Sequence, residues 1–279
     1  HGERGEGEEE ESEEKECEEE ELQPGLGVED LPGFPADACP EVMPDLSHHH
    51  SLMAEVLKRD PSIYARLRGQ STRLGVTLAR IIKTGVDNKG HPMLRTVGLV
   101  AGDEDSYSVF ASLIEPVIAA RFAKDLAVFQ HLPPNLGSTI AMGRGPPLAG
   151  EVSMCVVSVQ VSVARNLRGL RFPAACSGEE RRRAELLLAR GLRSLDGEGQ
   201  GRYYPLVGSQ SFEEKPGGMT EDDAAMLAKK GLLIKAPGSN IVLASGAGRD
   251  WPHSRGVFYA ESQRLWAWVN EEDHLLLTS

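Results

Sequence analysis

Hydrophobic and polar residues repeat with two different periods along the chain, and the period changes near its middle. Between residues 44 and 124, apolar side chains recur three, four or seven positions apart, which is the spacing of a helix with one buried face. Helix start signals occur at Ser47, Asp60 and Thr77, and Gly85 is predicted to follow the end of the third helix. The pattern therefore predicts a small all-α domain in this part of the chain.

A longer helix is predicted to complete this helical domain. Its apolar residues fall on one face, and Pro116 is expected to kink it. The residues predicted to be buried on that face are Tyr107, Phe110, Leu113, Ile114, Val117 and Ile118.

After residue 150, short apolar strands alternate with capped helices. Ser177 and Glu180 form a capping box that predicts a helix ending at Gly197, and Thr220 caps a second helix that stops at Gly231. The run Arg181–Arg183 is more typical of a solvated helix face than of a phosphate site. The side chains predicted to face inward from the first helix are Leu186, Leu187, Leu192 and Leu195.

The remaining apolar runs of this second half predict β-strands. They cover residues 153–165, a strand that opens at Gly201, and three successive strands at 241–246, 255–259 and 265–269. Short connections between the last three favour antiparallel neighbours. The predicted fold class is α+β, with a small all-α N-terminal domain followed by an antiparallel β-sheet domain flanked by helices.

Charge is distributed unevenly along the chain. The net charge is -12, but the first 30 residues alone hold 15 acidic and 2 basic residues, so the remainder is nearly neutral. Residues 1–43 are predicted to form a disordered acidic leader and linker, and the Pro- and Gly-rich residues 125–150 a second linker. The acidic run is a solubilising tail, a binding segment for a basic partner, or the product of a mis-annotated upstream exon. The neutral body shows no basic face, so nucleic acid is not a predicted partner.

Neither a membrane span nor a metal site is predicted. No apolar run has the length of a transmembrane segment, and no signal or transit peptide is recognised. Adjacent residues on a helix point in different directions, so His48–His50 are not expected to share a metal ion. The cysteines lack C-x-x-C spacing, which predicts reduced thiols in an intracellular protein, either cytoplasmic or mitochondrial. They are Cys17, Cys39, Cys155 and Cys176.

The strongest candidate for chemistry is the acidic segment Asn270–His274, which follows the strand at 265–269. It places Glu271, Glu272 and Asp273 in consecutive positions. Like charges this close raise one another's pKa unless a cation lies among them. The segment is therefore a solvated turn, a metal site or the binding site of a cationic group.

Several segments together resemble the phosphagen (guanidino) kinases, and most of all the creatine kinases. The motifs that carry the resemblance are W-V-N-E-E-D-H at 268–274, T-G-V-D-N-K-G-H-P at 84–92 and G-R-D-W-P at 248–252. The resemblance implies the guanidino kinase fold. Residues 44–124 would correspond to the helical N-terminal domain and residues 151–279 to the first half of the catalytic domain.

The resemblance also implies a reaction, the reversible transfer of the γ-phosphoryl group of ATP to the guanidino nitrogen of creatine. Glu272, with Glu271 beside it, would bind and activate the guanidinium, because a carboxylate pairs with this planar group through two hydrogen bonds. The loop ending in G-H-P would close over the acceptor, which is creatine or a related guanidino compound. The residues implied to bind the acceptor are Val86, Asp87, Asn88, Gly90, His91, Leu94 and Val97.

The positions implied to bind the nucleotide hold few cations in this chain. Two phosphate-binding arginines of the family fall on Gln160 and Ser162, and only Arg165 remains of three. Mg²⁺ would arrive with ATP or ADP, so no separate protein site for it is expected. The implied nucleotide positions are Ser158, Gln160, Ser162, Arg165, Gly231 and Leu276.

Two functional classes therefore stay open. The chain is a creatine kinase-type enzyme, or it is a catalytically inactive protein or fragment of the same fold that acts through interactions. The second class is kept because phosphoryl transfer depends on groups that neutralise developing charge. Members of the family form dimers or octamers, which leaves a homo-oligomer as an open expectation.

Overall fold

The structure is a computed structural model that describes residues 23–122, 155 and 159–279. Within the first of these ranges the chain folds into short helices connected by ordered turns. The helices are α1 (Leu52–Arg59), α2 (Ser62–Leu67), α3 (Leu78–Asp87), α4 (Ser106–Val109) and α5 (Ala111–Phe122).

Helix α1 begins later than the sequence predicted. Its N-cap is Ser51, whose hydroxyl oxygen accepts a hydrogen bond of 3.2 Å from the backbone N–H of Ala54. The prediction that Ser47 caps this helix was wrong. Before the helix begins, the chain makes a turn in which the N–H of His49 donates a hydrogen bond to the carbonyl of Leu46. At α3 the prediction is confirmed, since Thr77 is the N-cap.

Helix α3 continues through Gly85, which the sequence predicted to follow its end. Gly85 is buried where the helix meets the backbone at Gly98, and a Cβ atom at position 85 would overlap the Gly98 carbonyl oxygen. Glycine at this position therefore permits close packing of two backbone segments and does not end the helix.

The last predicted helix is divided at Phe110 into α4 and α5. Of the face predicted to be buried, Phe110, Leu113, Ile114 and Val117 are buried, but Tyr107 is 52% exposed. The break explains the error, because the non-helical backbone at Phe110 interrupts the helical repeat that would keep Tyr107 on the common face. Pro116 lies inside α5, as predicted.

Residues 23–43 pack against the folded body, in contrast to the linker that the sequence predicted. Leu26 is buried, and the carboxylate of Asp30 lies between the guanidinium groups of Arg80 and Arg249. Arg80 belongs to α3, whereas Arg249 belongs to the second half of the chain. This segment therefore holds the two halves of the protein together.

The second half is built on one antiparallel sheet, which confirms the predicted pairing mode. The strands follow one another across the sheet in the order β1-β5-β4-β3-β2. The last strand, directly after the acidic segment, was not anticipated. The strands are β1 (Ser162–Arg165), β2 (Arg202–Pro205), β3 (Gly256–Ala260), β4 (Leu265–Val269) and β5 (Leu275–Thr278).

Helices cover both faces of this sheet. Helix α6 (Gly178–Arg193) packs Ala189 and Leu192 against one face, and α7 (Glu221–Lys229) packs Leu227 against the other. Helix α6 begins with the capping box that the sequence predicted, and α7 begins at the predicted cap Thr220, which forms a capping box with Asp223. The inward orientation predicted for other leucines of this region was wrong, because the sheet covers only a narrow stripe of α6. The exposed leucines are Leu186, Leu187 and Leu195.

Residues 241–246 do not form the predicted strand. Asn240–Ser245 form a helix, α8, which packs against α3. The hydroxyl of Thr84 donates a hydrogen bond of 2.8 Å to the carbonyl of Ile241 in this contact. A short apolar run fits either a strand or a buried helical turn, so periodicity could not decide between them.

Several predicted features lie outside the described residues. They are residues 1–22 of the leader, the whole of the predicted linker at 125–150, and residues 153–154 and 156–158 of the strand predicted before Ser162. Among the helices of the described ranges, none has the length and apolar character that a bilayer crossing requires.

Candidate functional site

The acidic segment forms the turn that connects β4 to β5. Val269 pairs with Leu275 in the sheet, and the N–H of Asn270 donates a hydrogen bond of 3.0 Å to the carbonyl of His274. Asn270 has a positive φ of 56°, a conformation that asparagine tolerates better than most residues. The turn therefore presents Glu271–Asp273 together at one end of the sheet.

Two buried side chains hold the ends of this turn in place. The Asn270 amide donates hydrogen bonds to the carbonyls of Arg181, at 2.9 Å, and Ser254, at 2.7 Å. The imidazole of His274 accepts a hydrogen bond of 3.0 Å from the N–H of Leu167 through Nδ1. These contacts tie the turn to α6, to the loop before β3 and to the segment after β1.

Asn166 holds the far end of the turn. Its side-chain oxygen accepts a hydrogen bond of 2.9 Å from the N–H of His274, and its amide donates to the carboxylate of Asp273. Asp273 is thereby engaged in holding the turn, and Glu271 and Glu272 remain as the carboxylates available to a ligand.

Glu271 and Glu272 line a pocket of about 170 Å³. Lys235, Trp251 and Arg255 line the same pocket, together with residues at the start of α8. Sequence reasoning missed these three residues as site residues, because they lie far from the acidic turn along the chain. The motif G-R-D-W-P was the one signal that pointed to Trp251.

The two glutamates of the pocket have different surroundings. Glu271 is half-buried, and burial raises its pKa, as do the charges of Glu272 and Asp273. A hydrogen bond from the N–H of Glu272 to the Glu271 carboxylate opposes this shift. Glu272 itself is exposed, so it is the carboxylate that a cation from solution meets first.

Arg255 supplies a buried positive charge beside these carboxylates. Its guanidinium donates hydrogen bonds to the carbonyls of Ala247, at 2.6 Å, and Arg249, at 2.8 Å, and lies over the ring of Trp251. Burial lowers the pKa of Arg255, and the charge of Glu271 opposes that effect. The guanidinium is thus held by backbone oxygens and is not paired with a carboxylate among the described residues.

The loop predicted to close over the acceptor lies beside α8, which forms one wall of the pocket. The Asn88 amide is 3.5 Å from the carbonyl of Asn240 at the start of α8. The carboxylate of Asp87 is engaged with Lys83 at 2.7 Å, within the helical half. In the described structure, none of the predicted acceptor-binding residues lines the pocket with the two glutamates. Val86 is half-buried, and Gly90, His91 and Leu94 are exposed.

Val97 lies in a second, apolar pocket of about 770 Å³ on the helical half. Tyr107 lines the same pocket with about half of its surface exposed; the partial burial of the rest raises its pKa, and the charge of Asp273 adds to that shift. Tyr107 is therefore close to the acidic turn. The structure brings the turn near both α8 and the wall that contains Val97, without placing the predicted acceptor residues around Glu272.

Two of the positions expected to bind nucleotide, Ser162 and Leu276, meet on the sheet, and neither carries a cation. Ser162 pairs with Thr278, two residues from Leu276, so Ser162 and Leu276 lie on one face of adjacent strands. Gln160 is exposed just before β1. Arg165 is three residues from Ser162 along the strand and therefore lies on the opposite face.

The remaining nucleotide positions add no charge. Gly231 follows α7 with a φ of 73°, and Ser158 lies outside the described residues. A triphosphate needs arginine, lysine or helix N-termini as partners. The residues described at these positions do not fit that requirement. In the part of the chain that the structure describes, no group of three His, Cys, Asp or Glu side chains is placed to hold a metal ion.

Comparison with known proteins finds relatives of one family over most of the chain. Residues 47–119 match the family model of the ATP:guanido phosphotransferase N-terminal domain, and residues 185–279 match that of its C-terminal catalytic domain. Creatine kinase M-type of Gallus gallus is 42% identical over 239 residues, and that of Oryctolagus cuniculus is 41% identical over the same length. Each match covers 86% of this chain and 58% of the relative, so the chain spans little more than half of their length.

Solved structures with the same fold include a lombricine kinase and a taurocyamine kinase. A crystal structure of lombricine kinase has a TM-score of 0.70 and 29% sequence identity, covering 85% of this chain and 60% of that chain. The duplicated taurocyamine kinase from Schistosoma mansoni has a TM-score of 0.66 and 26% identity, covering 84% of this chain and 30% of that chain. The similarity confirms the predicted α+β fold with its helical N-terminal domain.

Proposed function

Because this chain belongs to the ATP:guanido phosphotransferase family, the phosphagen kinases, we propose that its acidic turn is the acceptor site of a creatine kinase-type protein. The observation that carries this proposal is the pair of carboxylates at one pocket, one half-buried and one exposed. A planar guanidinium is the cation that two neighbouring carboxylates bind best, because its N–H groups point in fixed directions.

Glu272 has the principal role in this proposal. Its carboxylate makes no hydrogen bond or ion pair among the described residues, so it is available to the guanidinium. Glu271 adds a second negative charge, held by the N–H of Glu272 at 2.7 Å. The pocket of about 170 Å³ suits a small metabolite and is below the size of typical drug-sized sites.

The reaction that we assign to the site is the reversible transfer of the γ-phosphoryl group of ATP to the guanidino nitrogen of creatine. Val97 and Leu94 would contact the acceptor after the loop that contains Val86, Asp87, Asn88, Gly90 and His91 has moved over the pocket. Lids of this kind exclude water from phosphoryl transfer. Support for the loop as lid is its contact with α8 through Asn88.

The neutral nucleotide face favours a second candidate function. Gln160, Ser162, Gly231 and Leu276 supply no charge to a triphosphate, and Arg165 lies on the other face of the sheet. A protein with this arrangement would bind a guanidino compound without transferring phosphate to it. We derive no step of the transfer through the nucleotide, because the described residues do not fit its phosphates.

A coupled assay of ATP formation from phosphocreatine and ADP separates the two candidates. Turnover that Glu272→Gln abolishes and Glu213→Gln preserves supports the transferase. Glu213 is a matched control, because it is exposed and its side chain makes no hydrogen bond or ion pair among the described residues. Absence of turnover in a folded sample that still binds creatine supports the second candidate, and calorimetry with Mg-ADP should then detect no binding.

A further inference from the structure

Lys235 stands out among the residues of the acidic pocket. It lines the pocket together with Glu271 and Glu272, and its side chain is exposed. It makes no hydrogen bond or ion pair with any described residue. Lysine side chains are usually solvated, but this one shares a small pocket with two carboxylates and still forms no ion pair with either.

The backbone around Lys235 is fixed. Its neighbour Ile234 is 5% exposed and belongs to the core beneath the sheet. Two residues further back, the carbonyl of Leu232 accepts a hydrogen bond of 2.7 Å from the indole N–H of Trp268. Trp268 is on β4, two residues before the acidic turn begins. The strand that presents the carboxylates therefore also holds the segment that presents the lysine.

The other cation of the pocket cannot serve a ligand in the same way. Arg255 directs its guanidinium N–H groups to the carbonyls of Ala247, Arg249 and His253. Three of its five N–H donors are used by the protein itself, and the residue is only 1% exposed. Lys235 has three N–H donors and no protein acceptor among the described residues, so it is the pocket cation that a ligand can engage.

We propose that Lys235 binds the anionic end of the acceptor whose guanidinium is held by Glu272. The site would then select small guanidino acids over guanidines that carry no acidic group. This inference rests on the proposed function of the acidic turn. The pocket is lined by two carboxylates and by an ammonium group that has no partner among the described residues, and a guanidino acid carries the complementary charges at its two ends. Electrostatic complementarity of this kind gives specificity, because a ligand that lacks one charge leaves the opposite one unpaired.

The experiment is isothermal titration calorimetry with two probes. Creatine carries a guanidinium and a carboxylate, whereas methylguanidine carries the guanidinium alone. Both are titrated into the unsubstituted chain, Lys235→Gln, Lys235→Arg and Glu272→Gln. Lys229→Gln is the matched control, because Lys229 is an exposed lysine on α7 that does not line the pocket.

We expect the substitution of Lys235 to reduce the affinity for creatine and not the affinity for methylguanidine. Lys235→Gln should lower the affinity for creatine about fivefold, which corresponds to the contribution of a solvent-exposed ion pair. The affinity for methylguanidine should stay unchanged or rise slightly. Lys235→Arg should retain most of the creatine affinity, and Lys229→Gln should bind both probes like the unsubstituted chain. An equal effect of Lys235→Gln on both probes, or no effect on either, overturns the inference.

The outcome for Glu272→Gln tests the proposed function separately. A loss of affinity for both probes supports the acidic turn as the guanidinium site, whatever the result at Lys235. If Glu272→Gln binds both probes normally, or if neither probe binds the unsubstituted chain, the acceptor site itself is wrong and the role of Lys235 fails with it.

Discussion

The backbone N–H of Glu272 donates a hydrogen bond of 2.7 Å to the carboxylate of Glu271. The bond holds the half-buried Glu271 against the turn, while the Glu272 carboxylate keeps no partner among the described residues. Two adjacent glutamates thereby acquire different properties. The negative charge of Glu271 is disfavoured by burial and by its acidic neighbours, whereas the carboxylate of Glu272 is exposed and open to a ligand.

Replacing Glu271 by glutamine should stabilise the protein at neutral pH. Burial and two neighbouring carboxylates raise the pKa of Glu271 in the folded state above its ordinary value of 4.5. A raised pKa contributes stability that is present below the unfolded-state value and is lost as the pH rises. Glutamine keeps an oxygen that accepts the bond from Glu272. Urea unfolding should therefore show Glu271→Gln as the more stable protein at pH 7, with a smaller difference at pH 4. A less stable variant at pH 7 would show that the site does not strain this carboxylate.

His274 should make the fold sensitive to acid. Burial, and then the charge of Arg181, lowers the pKa of His274 from 6.5 to about 4. Because the folded value lies below the unfolded one, this contribution to stability is full above pH 6.5 and is lost as the pH falls through about 4. Between pH 7.5 and pH 4 the unsubstituted chain should lose about 3 kcal/mol more than His274→Asn. Only the change with pH is compared, since the substitution also alters packing. Parallel pH profiles for the two proteins would contradict the assignment.

Asp30 should be required for holding the two halves of the protein together. Its carboxylate lies between Arg80 and Arg249, whose side chains are 10% and 13% exposed. Asp30→Asn would leave two largely buried guanidinium groups without their shared anion, and should lower the free energy of unfolding by about 2–4 kcal/mol.

Asp37→Asn is the matched control for Asp30. Its carboxylate is 3.9 Å from the same Arg80, but its side chain is 99% exposed. An ion pair in water contributes little, so the loss should stay below about 0.5 kcal/mol. Equal losses in the two variants, measured by urea unfolding, would show that the 23–43 segment is not held by Asp30.

Gly85→Ala should be strongly destabilising. A Cβ atom at this position overlaps the carbonyl oxygen of Gly98 and crowds the side chain of Met53, so backbone has to move. We expect a loss of about 3 kcal/mol or more. Gly191→Ala is the control, because Gly191 lies in α6 with open space around it and should gain about 0.5–1 kcal/mol. A mild effect at Gly85, measured by thermal unfolding, would mean that α3 and the Gly98 segment can separate.

Local signals in the sequence predicted the local parts of the fold well. The caps at Thr77, Ser177 and Thr220 are confirmed, because each depends on a side chain and a backbone N–H two or three residues apart. The same reasoning failed at 241–246. There the contact with α3, more than 150 residues away in the chain, decides that the segment is helical.

One part of the candidate site could likewise be predicted from local sequence, and another part could not. The acidic turn could be predicted because its residues are consecutive and belong to a recognisable motif. Lys235 and Arg255 could not be predicted as site residues, because only the tertiary fold brings them to the pocket of the acidic turn. Arg181 shows the limit most clearly: it was expected on a solvated face, yet it is fully buried, 3.5 Å from the carboxylate of Asp250.

A crystal structure of this chain grown with creatine tests the central claim most directly. We expect creatine in the pocket of the acidic turn, with guanidinium nitrogen atoms about 2.7–2.9 Å from the carboxylate oxygens of Glu272. Creatine bound away from Glu272, or an empty pocket at a concentration that saturates binding in solution, would contradict it.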